Sequence, residues 1–223
     1  MRIERVLLCL AILPALVVPA GASLMAVWDF GPDATNYTLV LQYEYLVSMP
    51  AITAGGASYD TSGGNGTTFT DTAGNIHTAG QCLHWNDVSQ SGNNAYIILT
   101  VNTTGWKDMV IRWDYKSKNG TKMGPTSFDM DYEAGSGSWT NIVNNFAITR
   151  DGAWHQFSYD LSSIDTVDNQ SSIQFRINDL DKNDLNGDYW QDNIQLTGTA
   201  IPEPFSAVLF ALGGAVLFRR HRQ

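Results

Sequence analysis

The chain has 223 residues, with 13 Lys and Arg against 22 Asp and Glu, a formal net charge of −9 and a pI near 4.7. With no basic surface to neutralise phosphates, nucleic acid is excluded as a partner. At 16% charged and 11% aromatic residues with 20 glycines, the chain is too aromatic for disorder and too poor in Lys and Glu for a helical body, so an all-β domain is expected.

Residues 1–22 read as a secretory signal. Arg2 and Arg5 form a positive leader, Val6–Val18 is an apolar run, and Ala20-Gly21-Ala22 offers the small residues that signal peptidase requires. The run falls short of the roughly 20 residues of a spanning helix. Cleavage after Ala22 removes Cys9 and leaves Cys82 as a lone cysteine, read as a small buried hydrophobe.

Residues 23–200 form the predicted domain. Its eight basic and twenty acidic residues leave a net charge of −12, and 18 of the acids are Asp, which favours turns and strand edges. Strands are expected at Met25–Phe30, Thr38–Ser48 and Ala95–Val101. Residues 49–80, with seven glycines in 32 positions, read as a long decorated loop carrying one or two short strands, one near Thr67–Asp71.

Clear period-two alternation follows. Met109, Ile111, Trp113 and Tyr115 share one face, as do Phe128, Met130 and Tyr132, then His155, Phe157, Tyr159 and Leu161, then Ile173, Phe175 and Ile177. In the last strand Trp190, Ile194 and Leu196 are assigned to one face together with Asp192. No stretch shows a capped helical period. Strands with one apolar face each, separated by Gly- and Asn-rich turns, predict a two-sheet antiparallel jelly-roll sandwich. Phe128-Asp129-Met130, Ile173-Gln174-Phe175-Arg176-Ile177 and the closing segment Trp190–Gly198 resemble the jelly rolls of secreted carbohydrate-binding modules. That resemblance implies a fold and leaves the ligand open.

Residues 201–223 have three parts: Pro202-Glu203-Pro204, an apolar stretch over 205–218, and a basic end with Arg219, Arg220 and Arg222. At 1.5 Å per residue the stretch spans about 21 Å, a short transmembrane helix, with the arginines on the cytoplasmic side. The tail resembles the PEP-CTERM sorting signal of bacterial exported proteins. The resemblance implies processing near Pro-Glu-Pro by an exosortase, a Gram-negative-type envelope, and association with exopolysaccharide.

Three constellations are candidates for chemistry. Asp184, Asn186 and Asp188 have the alternate spacing of calcium loops, and with Asp192 they form a candidate structural calcium site. The Gly187 position and the missing twelfth-position Glu make that match partial. Asp129, Asp131 and Glu133 resemble the acid triplet of laminarinase-type glycosidases, with Asp where the family has its first Glu. Retaining chemistry needs carboxyls about 5–5.5 Å apart, so the shorter side chain weakens the enzyme reading. Trp154, on a polar strand face, and Trp85, Trp106 and Trp139, beside turns, are candidate sugar-stacking aromatics, whereas Trp113 and Trp190 are read as core. His77, His84 and His155 show no metal spacing. The reading is an exported, envelope- or exopolysaccharide-associated, non-catalytic structural or glycan-binding protein. The alternatives are a laminarinase-type hydrolase and a surface adhesin or ice-binding protein.

Overall fold

Extended chain is what this sequence favours, because alternating apolar positions bury one side of a strand and leave its backbone to pair laterally. The computed structural model describes residues 22–28, 51–55, 58–60, 67–70, 76–77, 82–86, 96–118, 124–180 and 188–201. In chain order the strands are β1 (Ser23–Trp28), β2 (Ala51–Gly55), β3 (Ser58–Asp60), β4 (Phe69–Thr70), β5 (Ile76–His77), β6 (Leu83–Asn86) and β7 (Tyr96–Val101). There follow β8 (Trp106–Ser117), β9 (Ser127–Ala134), β10 (Thr140–Ala147), β11 (Trp154–Asp160), β12 (Ile173–Asn178) and β13 (Tyr189–Ala200). A 3₁₀ turn at Asp165–Val167 is the one helical element among the described residues.

Two antiparallel sheets face each other, as the alternation predicts. One has the order β11–β8–β13–β6–β3, with β1 also paired to β13; the other runs β10–β9–β12–β7–β2; β4 and β5 form a separate pair. β6 pairs with Tyr189–Gln191 and β1 with Ile194–Gly198, so these two strands share one edge of β13 end to end. The core between the sheets holds Trp28, Trp85, Trp113, Phe128, Phe175 and Tyr189, each almost wholly buried. Trp113 packs 4.2 Å from Phe157 and 5.3 Å from Phe128, ring centre to ring centre.

Two left-handed residues set which side chains reach that core. In β8, Asp108 has φ +50°, and the pairing with β13 skips from Val110 to Lys107 opposite Thr197 and Thr199. In β13, Asn193 has φ +49°, and pairing skips from Asp192 to Gln195 opposite Asp114 and Arg112. Each inserted residue is a bulge that reverses the alternation beyond it. Asp and Asn are among the few side chains that tolerate this conformation. Gly198 meets a different demand. A Cβ there would lie 2.6 Å from Met25 Sδ and 3.1 Å from Met109 Cγ, so its lack of a side chain lets β1, β8 and β13 close.

The expected strands at the N-terminus and before Val101 are β1 and β7, each shifted slightly. The glycine-rich region is richer in strand than expected. It carries β2, β3, β4 and β5, and β2 and β3 belong to the main sheets through pairing with β7 and β6. Their backbone hydrogen bonds come from neighbours, so they need few apolar anchors of their own. β10 was likewise invisible to alternation because it is an edge strand, largely exposed, with its register broken twice against β9. The strand expected over Thr38–Ser48, the signal over residues 1–21 and the tail from Pro202 onward lie outside the described residues. Among those described, no helix is long and apolar enough to cross a membrane.

Candidate functional site

The outward face of the five-stranded sheet is built from residues that alternate with its core. Ile173, Phe175 and Ile177 point inward on β12, which leaves Gln174, Arg176 and Asn178 outside. Phe128 and Met130 do the same on β9, leaving Asp129, Asp131 and Glu133 outside. Register sets these in rows, with Asn141, Asp131, Arg176 and Ile98 in one, Glu133, Gln174 and Thr100 in the next, and Asn178 beside Asp129.

Polar contacts hold the rows in place. Arg176 donates to Asp131 Oδ2 from Nη2 at 2.6 Å and from Nε at 3.0 Å, and Asn141 Nδ2 donates to the other oxygen at 3.0 Å. The guanidinium carbon lies 4.3 Å from the centre of the Trp139 ring, so the half-buried indole and the carboxylate position the same cation. Gln174 Nε2 donates to Thr100 Oγ1 at 3.3 Å, and the Asn145 amide donates to Asp129 Oδ1 at 2.6 Å. Planar guanidinium, amide and carboxylate groups beside an aromatic face suit the hydroxyls and C–H faces of sugar rings.

Two acids of the triplet therefore help to order this face. Asp131 is occupied by Arg176 and Asn141, and Asp129 accepts from the Asn145 backbone N–H.

On the other sheet's outward face, two further clusters form. Thr67 lies over β8 and β13: its amide donates to Asp192 Oδ2 at 2.7 Å, its hydroxyl donates to Asp114, and Asn193 Nδ2 donates to the Thr67 carbonyl at 3.0 Å and to Asp114 Oδ2 at 2.9 Å. Farther along, His84 stacks on Trp190 at 4.8 Å with ring planes 4° apart, and Asp188 Oδ1 stands 3.5 Å from His84 Nε2. On neighbouring β11, His155 Nε2 contacts Asp151 Oδ1 at 2.9 Å. That bond, aided by the Ala153 amide, holds the Asp151 carboxyl below the usual carboxylate range.

Of the expected exposed tryptophans, Trp139 and Trp154 are half-buried at the surface. Trp85 and Trp106 are core residues. Trp85 shares the inward face of β6 with Leu83 and donates to Gln191 Oε1 at 3.3 Å, and the bulge at Asp108 turns Trp106 inward with Met109. Trp113 is core as expected. Trp190 is buried too, but apart from the inter-sheet cluster: the bulge at Asn193 sets Trp190 and Asp192 on the opposite face of β13 from Ile194 and Leu196, where they are covered. Of the candidate calcium ligands, Asp184 and Asn186 lie outside the described residues. Asp188, just before β13, and Asp192 within it flank Trp190 in the sequence. Among the described residues no group of three His, Cys, Asp or Glu is placed to hold a metal. Asn141 and Arg176, which organise the polar face, carry no local signature; only the pairing of β9 with β10 and β12 brings them to Asp131.

The body is a β-sandwich similar to carbohydrate-binding modules of known structure. The CBM22-1 xylan-binding domain of Xyn10C from Paenibacillus barcinonensis is 16% identical, with 82% of this chain and 98% of that one aligned at a TM-score of 0.44. A CBM29-2 mutant complexed with mannohexaose is 12% identical, with 81% and 94% aligned at 0.41. The enzymatically active domain of tailspike protein 4 of bacteriophage CBA120 is 11% identical over 67% of this chain and 19% of that one, with a TM-score of 0.42. No known family profile and no curated protein matches the sequence.

Proposed function

We propose that this is an exported, non-catalytic β-sandwich that binds a glycan on the outward face of its five-stranded sheet. The observation that carries the reading is Arg176, held on Trp139 by Asp131 at 2.6 Å within a row of amides and carboxylates. A fixed guanidinium beside an indole offers donors and an apolar patch with little ordering left to do on binding. The signal over residues 1–22 and the tail over 201–223 support export by signal peptidase and processing by an exosortase at Pro202-Glu203-Pro204. The tail's helix would hold the precursor in the membrane until then, and exopolysaccharide at the cell surface is the partner that location offers. Structural calcium stays proposed at Asp184, Asn186, Asp188 and Asp192.

The test is a glycan array probed with the purified full chain. Retention of β-linked neutral polysaccharides such as xylan or glucomannan is expected, with Arg176→Gln and Trp139→Ala each weakening it at least tenfold. A folded chain that retains no glycan would overturn the reading.

A further inference from the structure

Across the six-stranded sheet, Trp154 on β11 stands opposite Lys116 on β8, Lys116 opposite Trp190 on β13, and Trp190 opposite His84 on β6. All four belong to the outward row. The Lys116 ammonium lies 5.8 Å from the centre of the Trp154 ring and 5.5 Å from that of Trp190. Lys118, exposed at the end of β8, places its own ammonium 4.8 Å from Trp190.

These two lysines differ from the other described cations. Lys107 pairs with Asp108 at 2.9 Å, Arg176 with Asp131, Arg112 donates to Gln195 at 2.8 Å, and Arg150 donates to the Gly124 carbonyl at 3.5 Å. Among the described residues Lys116 and Lys118 meet only aromatic faces, in a body where acids outnumber bases twenty to eight. The described acids beside them are engaged elsewhere: Asp114 accepts from Thr67, Asn193 and Gln156, and Asp188 stands against His84. An ammonium over an indole is held in position while its N–H donors stay available.

We propose that Trp154, Lys116 and Lys118 form a second binding site, for a polysaccharide carrying carboxylate or sulfate groups spaced along an otherwise neutral chain. The inference rests on the glycan-binding reading but uses the opposite sheet. Two ammonium groups match the oxygens of one anionic group, and the half-buried Trp154 ring receives the C–H face of the sugar that bears it. Neutral sugars leave both charges unmatched. A densely charged polyanion is opposed by the −12 body, whereas an isolated anion lies within reach of the two lysines while more distant acids are screened over about 8 Å.

The test measures binding of the purified full chain to polysaccharides immobilised on a biosensor: gellan, whose glucuronates are separated by neutral sugars, κ-carrageenan, whose sulfated sugars alternate with neutral ones, and neutral xylan. Gellan or carrageenan should bind more tightly than xylan, with affinity falling as salt rises; which of the two binds assigns the anion as carboxylate or sulfate. Lys116→Gln/Lys118→Gln should weaken that binding on the order of tenfold and leave xylan binding unchanged. Lys118→Glu, at an exposed position, should do at least as much without altering the melting temperature. Unchanged anionic binding in these variants, or no preference over xylan, overturns the proposal. Lysine-dependent gellan or carrageenan binding without retention of any neutral glycan on the array upholds this site and removes the one on the five-stranded sheet; no binding to any glycan removes both.

Discussion

At Asp131 one carboxylate joins three strands, because Arg176 on β12 and Asn141 on β10 both donate to it. Removing the cation leaves a nearly buried acid with one amide donor, so Arg176→Ala should cost about 2 kcal/mol in urea denaturation. Much of that loss should return in the Asp131→Asn background, since the penalty comes from the uncompensated charge; strictly additive costs would contradict the coupling. Alternation placed both residues outside, and nothing local could pair them. Calcium is also decided residue by residue. If Asp184, Asn186, Asp188 and Asp192 hold calcium, raising calcium a hundredfold above its Kd should add about 2.7 kcal/mol, several degrees in melting temperature over EDTA. Asp184→Ala should abolish that difference, and a melting temperature indifferent to chelator in the unaltered chain would remove the site.

Among the elements, β13 is decisive, for it pairs with β8, β6 and β1 and is buried over most of its length. The close approach at Gly198 makes a single methyl costly: Gly198→Ala should destabilise by about 1–3 kcal/mol, as overpacking does. Asn193→Ala removes both the tolerance for φ +49° and the side-chain donor to Thr67 and Asp114, and should cost about 2 kcal/mol by thermal denaturation. A value near zero would mean that the bulge is held by the strands on either side. The strands with strong alternation, β7, β8, β9, β11 and β12, were legible because each buries a face. β2, β3 and β10 were not, since their order comes from partners.

For the whole molecule, Ser23 pairs with Gly198, so the chain enters and leaves the sandwich side by side. The Ile201 amide donates to the Gly105 carbonyl at 2.7 Å, which anchors the chain one residue before Pro202. Replacing Pro202-Glu203-Pro204 by alanines should leave a folded, membrane-held precursor, seen as an unprocessed band in the membrane fraction. Normal processing and release of that variant would count against a sorting signal.

Composition and two-residue periodicity were enough to determine an all-β sandwich and the inward residues of its clear strands, because burying one face of a strand demands that alternation locally. Only the tertiary structure decided which tryptophans are core, which acids are neutralised and which cations face aromatic rings. The phase of alternation reverses at single left-handed residues, Asp108 and Asn193, that leave no periodic mark. The contacts that define each face join residues far apart in sequence, 45 positions between Asp131 and Arg176 and 125 between Thr67 and Asp192, so they exist only once the strands have paired.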